Sequence, residues 1–441
     1  MKTNRIKLPF EGRDIALDLP GTWEVLGELN PHPAPELKDI PASLTEGLKN
    51  PIGCKGLGSG GLSGKKIIIV VDDITRPTPT HLFFRVILKH LLDCGSRKAE
   101  ISIIAAIGSH RDMSHEELKE KLGSRDFAGL KVIRHNCRDI GKNIKLGTTK
   151  RGTKVYLSRH LKDADLILCI GGIKPHPLLG FGGGLKIILP GLAYEKTIAQ
   201  NHMQGVTSKT FNYIGTHDSP MRLDIEEAAQ MLNKEIFIIN TIMNQELKVC
   251  RFVCGDPIKA HREGIKIVES INARGITELA DIAIAVSNPM NTDLRQGINC
   301  VANVEQSVKE GGLILALLEC KERIGDIAMP PKPPPISYNL LRIILKVLGR
   351  KRILWFTDMV KRHVRVEERF LSHFSMQMAR KNRIFIYSNN LPEDTGKRLG
   401  LFRQFTNIDE MLKAAAESTP KKARVYIYPH GGVTYPAIKR S

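Results

Sequence analysis

Asp165-Leu-Ile-Leu-Cys-Ile-Gly-Gly172 runs directly into Ile173-Lys-Pro-His-Pro-Leu-Leu-Gly-Phe-Gly-Gly-Gly-Leu-Lys186, and this join decides how the chain folds. The first run is short, apolar and stopped by glycines, so it reads as a buried strand feeding a loop. Loops at strand ends are where α/β proteins place their chemistry. This one carries His176, a glycine-rich turn and Lys186, with His202 a little further on.

Working outward, strand-like runs at 66–72, 99–106, 130–133 and 164–171 alternate with helix-like runs at 81–92 and 114–122. A helix at 222–233, a strand at 235–240 and a helix at 257–272 follow. A second alternating set begins at 281–287 and continues through 313–318, 383–388 and 424–428. Alternation of this kind predicts an α/β protein of two layered domains, with mostly parallel sheets and an active-site cleft between them. The expected division is 1–273, catalytic, and 274–441, closing the cleft. Residues 4–20 read as a hairpin turned at Glu11-Gly12-Arg13.

The 441 residues are 42% hydrophobic and 25% charged, ordinary for a folded globular protein. The N-terminus lacks a signal-like apolar run, and no stretch reaches the length of a membrane span, so a cytoplasmic protein is expected. Eight scattered cysteines without a Cys-x-x-Cys fit reduced thiols in that compartment. The net charge of +20 would suit an anionic partner. Nucleic acid is not expected, because aromatics make up only 5% and no RNA-binding signature appears. Much of the positive excess lies between 340 and 365, where Arg342, Lys346, Arg350, Lys351, Arg352, Lys361, Arg362 and Arg365 interleave with Leu340, Leu341, Ile343, Ile344, Leu345, Val347 and Leu348. That spacing reads as an amphipathic helix with a solvated basic face.

Three strand ends carry candidate chemistry. Asp72-Asp73-Ile-Thr-Arg76-Pro-Thr-Pro79 puts Asp73 and Arg76 on a proline-stiffened turn, and arginine's planar fork suits a carboxylate or phosphate; an Asp-Arg pair fixing the turn is the alternative. Gly108-Ser-His110-Arg111 offers an imidazole as acid or base. The glycine turn at 180–184 fits neither Gly-x-Gly-x-x-Gly nor a phosphate loop, although its amides would suit an anion. Lys186 beside a buried apolar segment is either a desolvated nucleophile or the partner of an acid. Residues 53–66 resemble a phosphate loop only superficially, since Ser59 and Lys66 occupy its critical positions and the segment precedes its strand. His202 has no His-x-x-x-His or cysteine pair beside it, so a metal there needs ligands from elsewhere.

Taken in order, Asp73-Ile-Thr-Arg76-Pro, Ser109-His110-Arg111, Lys174-Pro-His176-Pro through Gly182-Gly183-Gly184-Leu-Lys186, and His202 resemble the nickel-dependent lactate racemase family. The resemblance is strongest from about 66 to 270. It implies Ni(II) held in a nickel pincer nucleotide, pyridinium-3-thioamide-5-thiocarboxylic acid mononucleotide. Lys186 would tether this cofactor and so belong to the metal site through it, His202 would ligate nickel, and Gly182, Gly183, Gly184 and Asp73 would lie in the cofactor-binding part. His110 and His176 would be the opposed bases, with Arg76 and Gln296 binding substrate. The implied reaction inverts the carbinol carbon of a 2-hydroxy acid, lactate or a larger analogue, by proton-coupled hydride transfer to the cofactor. The implied partners are that small molecule and the cofactor's biosynthetic proteins. One departure stands out: Asn299 occupies the place of the family's substrate-holding lysine, which suggests a different or larger hydroxy acid. The family's late aromatic aligns with Trp355 or near His373. A non-catalytic carrier of an anionic metabolite is the alternative, against which the histidine pair weighs.

Overall fold

A computed structural model describes residues 3–123, 127–207, 210–360 and 366–438. Two six-stranded sheets carry it. The first has the spatial order Val249–Gly255, Glu235–Met243, Leu166–Gly172, Ile67–Asp72, Ile101–Ala106 and Lys131–Ile133. All its neighbours are parallel except Val249–Gly255, which runs antiparallel to Glu235–Met243. The second is wholly parallel, ordered Arg403–Phe405, Arg383–Tyr387, Val308–Leu317, Ala280–Val286, Arg424–Tyr428 and Glu24–Glu28.

Each sheet is buried on both faces, as continuous apolar strands require. In Ile67–Asp72, Ile67, Ile69 and Val71 face a core shared with Phe84, Ile87 and Leu91 of the helix Phe84–Asp93. Ile68 and Val70 face the other way, toward Met221 and Ile225 of the helix Pro220–Gln230. The second sheet repeats this two-sided arrangement.

The N-terminal hairpin, Thr3–Phe10 paired with Arg13–Pro20, departs from the expected division at 273. Leu8, Phe10, Leu17 and Leu19 share a core with Ile282, Ile284 and Phe385, and Glu24–Glu28 is the edge strand of the second sheet. Residues 3–28 therefore belong structurally with the later half of the chain. The cause is one-sided patterning: burying each of these apolar side chains is worth about 1.5–3 kcal/mol, and a two-stranded ribbon is marginal without such a face to cover.

The basic helix also differs from expectation. Tyr338–Val360 is broken at Gly349 (φ 67°), so one helical register does not run through it. Arg342 is buried and donates from Nε to the Ala379 carbonyl at 2.8 Å, whereas Ile343, Val347 and Trp355 are exposed. Lys361, Arg362 and Arg365 lie outside the described residues. No helix among the described residues is long and apolar enough to cross a membrane.

Candidate functional site

The strand Ile67–Asp72 lies between Leu166–Gly172 and Ile101–Ala106, so the loops leaving their carboxyl ends are neighbours. One supplies Asp73 and Arg76, the next His110, and the third Lys174, His176 and Lys186. Parallel pairing alone thus gathers residues that are far apart in the chain.

Asp73 anchors the first two loops. Its Oδ1 accepts from the Thr75 amide at 2.8 Å and from the Thr75 hydroxyl, while Oδ2 lies 3.7 Å from Arg76 Nε and 3.5 Å from His110 Nδ1. Burial pushes its pKa up, but Arg76 and His110 outweigh this and hold the carboxyl well below the usual range. Below it, Lys121 is buried, 2.8 Å from Asp72 Oδ1 and donating to the Arg76 carbonyl at 2.9 Å. The turn is fixed by that second pair, which leaves the Arg76 fork, partly exposed, directed by Asp73 alone.

The two candidate bases are not equivalent. His110 directs Nδ1 toward a carboxylate, which favours a proton on Nδ1 and a lone pair on Nε2. His176 Nδ1 instead faces the amides of Leu178 and Leu179, at 3.2 and 3.4 Å, which places the proton of the neutral ring on Nε2. Burial, reinforced by the neighbouring basic groups of Lys186, Lys174 and Arg76, lowers the pKa of His176 well below the ordinary value and favours its neutral ring.

The same cations act on Lys186. Burial, with Arg76 and Lys174 nearby, lowers its pKa well below that of a free lysine, so a neutral, nucleophilic amine is available. His202, on the helix Glu195–Thr207, donates from Nδ1 to the Ile198 carbonyl at 2.9 Å. Its Nε2 lone pair is then fixed in orientation, and burial drops its pKa to about 4. A neutral imidazole oriented by a backbone carbonyl is the state a metal requires. The ring packs edge-on against Phe370, centroids 5.1 Å apart. Phe370 is thus an aromatic beside His202, while Trp355 is 66% exposed.

The glycine turn is held from behind by residues the sequence did not single out. Arg222, wholly buried, donates from Nη2 to the Phe181 carbonyl at 2.5 Å and from Nη1 to the Gly183 carbonyl at 3.2 Å. His261 Nε2 takes the Gly182 carbonyl at 2.7 Å, and Asn240 Oδ1 accepts the Gly184 amide at 2.8 Å. The Gly182 amide is spent on the Lys174 carbonyl at 2.7 Å. The amides of Gly182 and Gly184 are thus used within the protein, and the expected anion-binding nest does not form from them. A Cβ on Gly183 would sit 2.7 Å from Ile173, and one on Gly184 2.8 Å from the His261 ring, both at positive φ; Gly182 has room. Accordingly Gly184→Ala should cost several kcal/mol of stability, on the order of 2–4 for strain plus overpacking, while Gly182→Ala should cost under about 1. Paired thermal melts check the contrast.

Gln296 sits in the short helix Leu294–Gly297, capped by Asp293, whose Oδ1 accepts the Gln296 amide at 2.8 Å. Among the described residues no hydrogen bond joins it to the histidines, Arg76 or Lys186; its capping Asp293 is one of the charges acting on Lys174. Asn299 turns back on its own helix, donating to the Arg295 and Gln296 carbonyls at 3.3 and 3.0 Å.

The residues present suit a lysine-tethered, metal-bearing cofactor: a neutral amine, an imidazole with its outer nitrogen free, and a side-chain-free turn between them. Comparisons with known proteins give the family. Residues 11–213 match the family described as lactate racemase N-terminal domain. Lactate racemase of Thermoanaerobacterium thermosaccharolyticum is 26% identical over 436 residues, 97% of each chain. Lactate racemase of Lactiplantibacillus plantarum is 30% identical over 289 residues, 64% of this chain and 67% of its own. The structure of the T. thermosaccharolyticum lactate racemase apoprotein shares the fold with a TM-score of 0.81 at 23% identity, covering 99% of this chain and 100% of that one. A Thermotoga maritima protein does so with a TM-score of 0.65 at 20% identity, covering 92% and 100%. The matched span 11–213 contains Asp73, Arg76, His110, His176, Lys186 and His202, and the chain belongs to the lactate racemase family, a family of isomerases.

Proposed function

We propose that this protein inverts the carbinol carbon of a 2-hydroxy acid, using Ni(II) in a pincer nucleotide tethered to Lys186 and ligated by His202. The observation that carries the reading is the convergence of a neutral amine at Lys186 and an Nε2-free imidazole at His202 with the imidazoles of His110 and His176. When bound, the cofactor supplies a reversible acceptor for the α-hydrogen.

The protein's own residues do the rest. Arg76 binds the substrate carboxylate, with Asp73 holding its guanidinium. His110 takes the hydroxyl proton on Nε2, and the imidazolium so formed is stabilised by the Asp73 carboxylate beside Nδ1. His176 presents Nε2–H to the oxygen on the other face. It becomes a base once its proton moves to Nδ1, which gives up the two long backbone contacts. Gln296 contributes to substrate binding, and the later half of the chain closes over the site, in the cytoplasm. The Gly182–Gly184 turn gives the nucleotide backbone room; Gly182 alone of the three has space for more than hydrogen on its α-carbon.

The test is production together with the cofactor's biosynthetic enzymes, followed by chiral chromatography of a panel of 2-hydroxy acids. Inversion requiring nickel and an added mass on Lys186 is expected; inversion by unmodified, nickel-free protein would refute the reading. Replacing His110 with alanine should lower kcat/KM about 10²–10⁴-fold. Because two enantiomers have an equilibrium constant of one, the loss must be the same in both directions, and progress curves from each enantiomer check it.

A further inference from the structure

Lys174 is a cation in the cleft with no carboxylate of its own. Its backbone is fixed, since Pro175 follows it and its carbonyl accepts the Gly182 amide at 2.7 Å. Its ammonium reaches across to the later half of the chain and lies 2.9 Å from the thioether of Met290, a weak acceptor. No ion pair to Lys174 forms among the described residues, and the acids whose charge it feels are engaged elsewhere. Asp72 is held by Lys121 and Thr78, Asp73 by Arg76, Thr75 and His110, and Asp293 by the Gln296 amide.

A part-buried ammonium facing sulfur is costly unless an anion joins it. Burial and Arg76 together pull its pKa down to about 7, and an anion beside it would reverse that shift. Arg76 already matches the one carboxylate of a simple 2-hydroxy acid. Lys186, joined to a cofactor as a thioamide, carries no charge to share. Two fixed cations beside His176 therefore call for a substrate with two negative groups.

We propose that Lys174 binds a second carboxylate on the substrate, so that the preferred substrate is a 2-hydroxy dicarboxylate. This rests on the 2-hydroxy acid reading above. Arg76 holds the carboxylate next to the carbinol carbon and Lys174 the distal one, with Met290 as its apolar neighbour. Asn299, folded onto its own helix, leaves that end of the cleft to Lys174.

The experiment compares cofactor-loaded wild type, Lys174→Met and Lys174→Arg on lactate, 2-hydroxysuccinate and 2-hydroxyglutarate. Readouts are inversion rate, binding by calorimetry and the mass added to Lys186. The wild type should favour one of the dicarboxylates over lactate. Lys174→Met should lose roughly 10²-fold in kcat/KM and in affinity for that dicarboxylate, lose clearly less on lactate, where only its charge on His176 and Lys186 is removed, and keep the added mass, while Lys174→Arg recovers part of the loss. Equal loss on lactate would overturn the proposal by making Lys174 a second ligand of the shared carboxylate. Loss of the added mass would overturn it by making Lys174 a partner of the cofactor phosphate. Inversion of lactate alone, indifferent to Lys174, would sink the anchor and leave the racemase reading standing. Lys174-dependent dicarboxylate binding without any inversion would do the reverse.

Discussion

Lys186→Arg is expected to be inactive, at least about 10³-fold below wild type, and to carry no added mass. The substitution keeps a long basic side chain beside Leu185 and Ile187, both buried, so folding should survive. It removes the one property the proposal needs. Burial and the charges of Arg76 and Lys174 make the Lys186 amine neutral and available for covalent bonding, whereas a guanidinium stays protonated. If Lys186 served only as a positive charge, arginine would replace it with modest loss. Intact-mass analysis beside a chiral assay separates the two: appreciable activity in Lys186→Arg would rule out the tether. Lys186→Ala should match it in both readouts.

Acid should unfold the cofactor-free protein well above the range set by carboxylates. Four histidines, His135, His176, His202 and His261, are kept neutral by burial, with His135 and His202 pushed down to about 4 and the other two well below their ordinary value. In the unfolded chain each titrates near 6.5. Between those values the unfolded state binds protons that the folded state refuses, so their stabilisation is complete above about pH 6.5 and is lost as pH falls toward 4. Each such proton costs about 1.4 kcal/mol per pH unit. Lys174, lowered to about 7, extends the same slope upward, since between 7 and its unfolded value the unfolded chain again binds the extra proton. Denaturant midpoints at pH 7, 6 and 5 should fall at each step, most steeply at the last. A flat profile from 7 to 5 would mean that these imidazoles are solvated in the folded protein.

The alternation of apolar strands and amphipathic helices was sufficient to read the central strands of both sheets, because these are buried on both faces and bounded by turn residues, whereas the edge strands Val249–Gly255, Glu24–Glu28 and Arg403–Phe405 were not read. The candidate site was legible for a related reason: Asp73, Arg76, His110, His176 and Lys186 are polar residues placed directly after apolar strands, where little but chemistry calls for them. Arg222, His261 and Asn240 were not legible. They hold carbonyls and an amide of the glycine turn from 39 to 79 positions away, and a backbone partner leaves no mark in composition or spacing. Phe370 was equally hidden, since only the packing of the helix Val366–Lys381 on Glu195–Thr207 brings it to His202. The hairpin was readable as a hairpin, but its one-sided apolar face did not say which sheet it would cover.

That placement sets how the two halves are joined. The chain leaves the second sheet after Glu28, builds the whole first sheet, and returns through Ala273–Ile276, which pairs with Tyr435–Ile438 near the C-terminus. Two covalent crossings therefore join the halves. A gene cut at residue 273 would strand an edge strand and its hairpin on the wrong fragment, so the second half is a unit in space that the chain can make only by being whole.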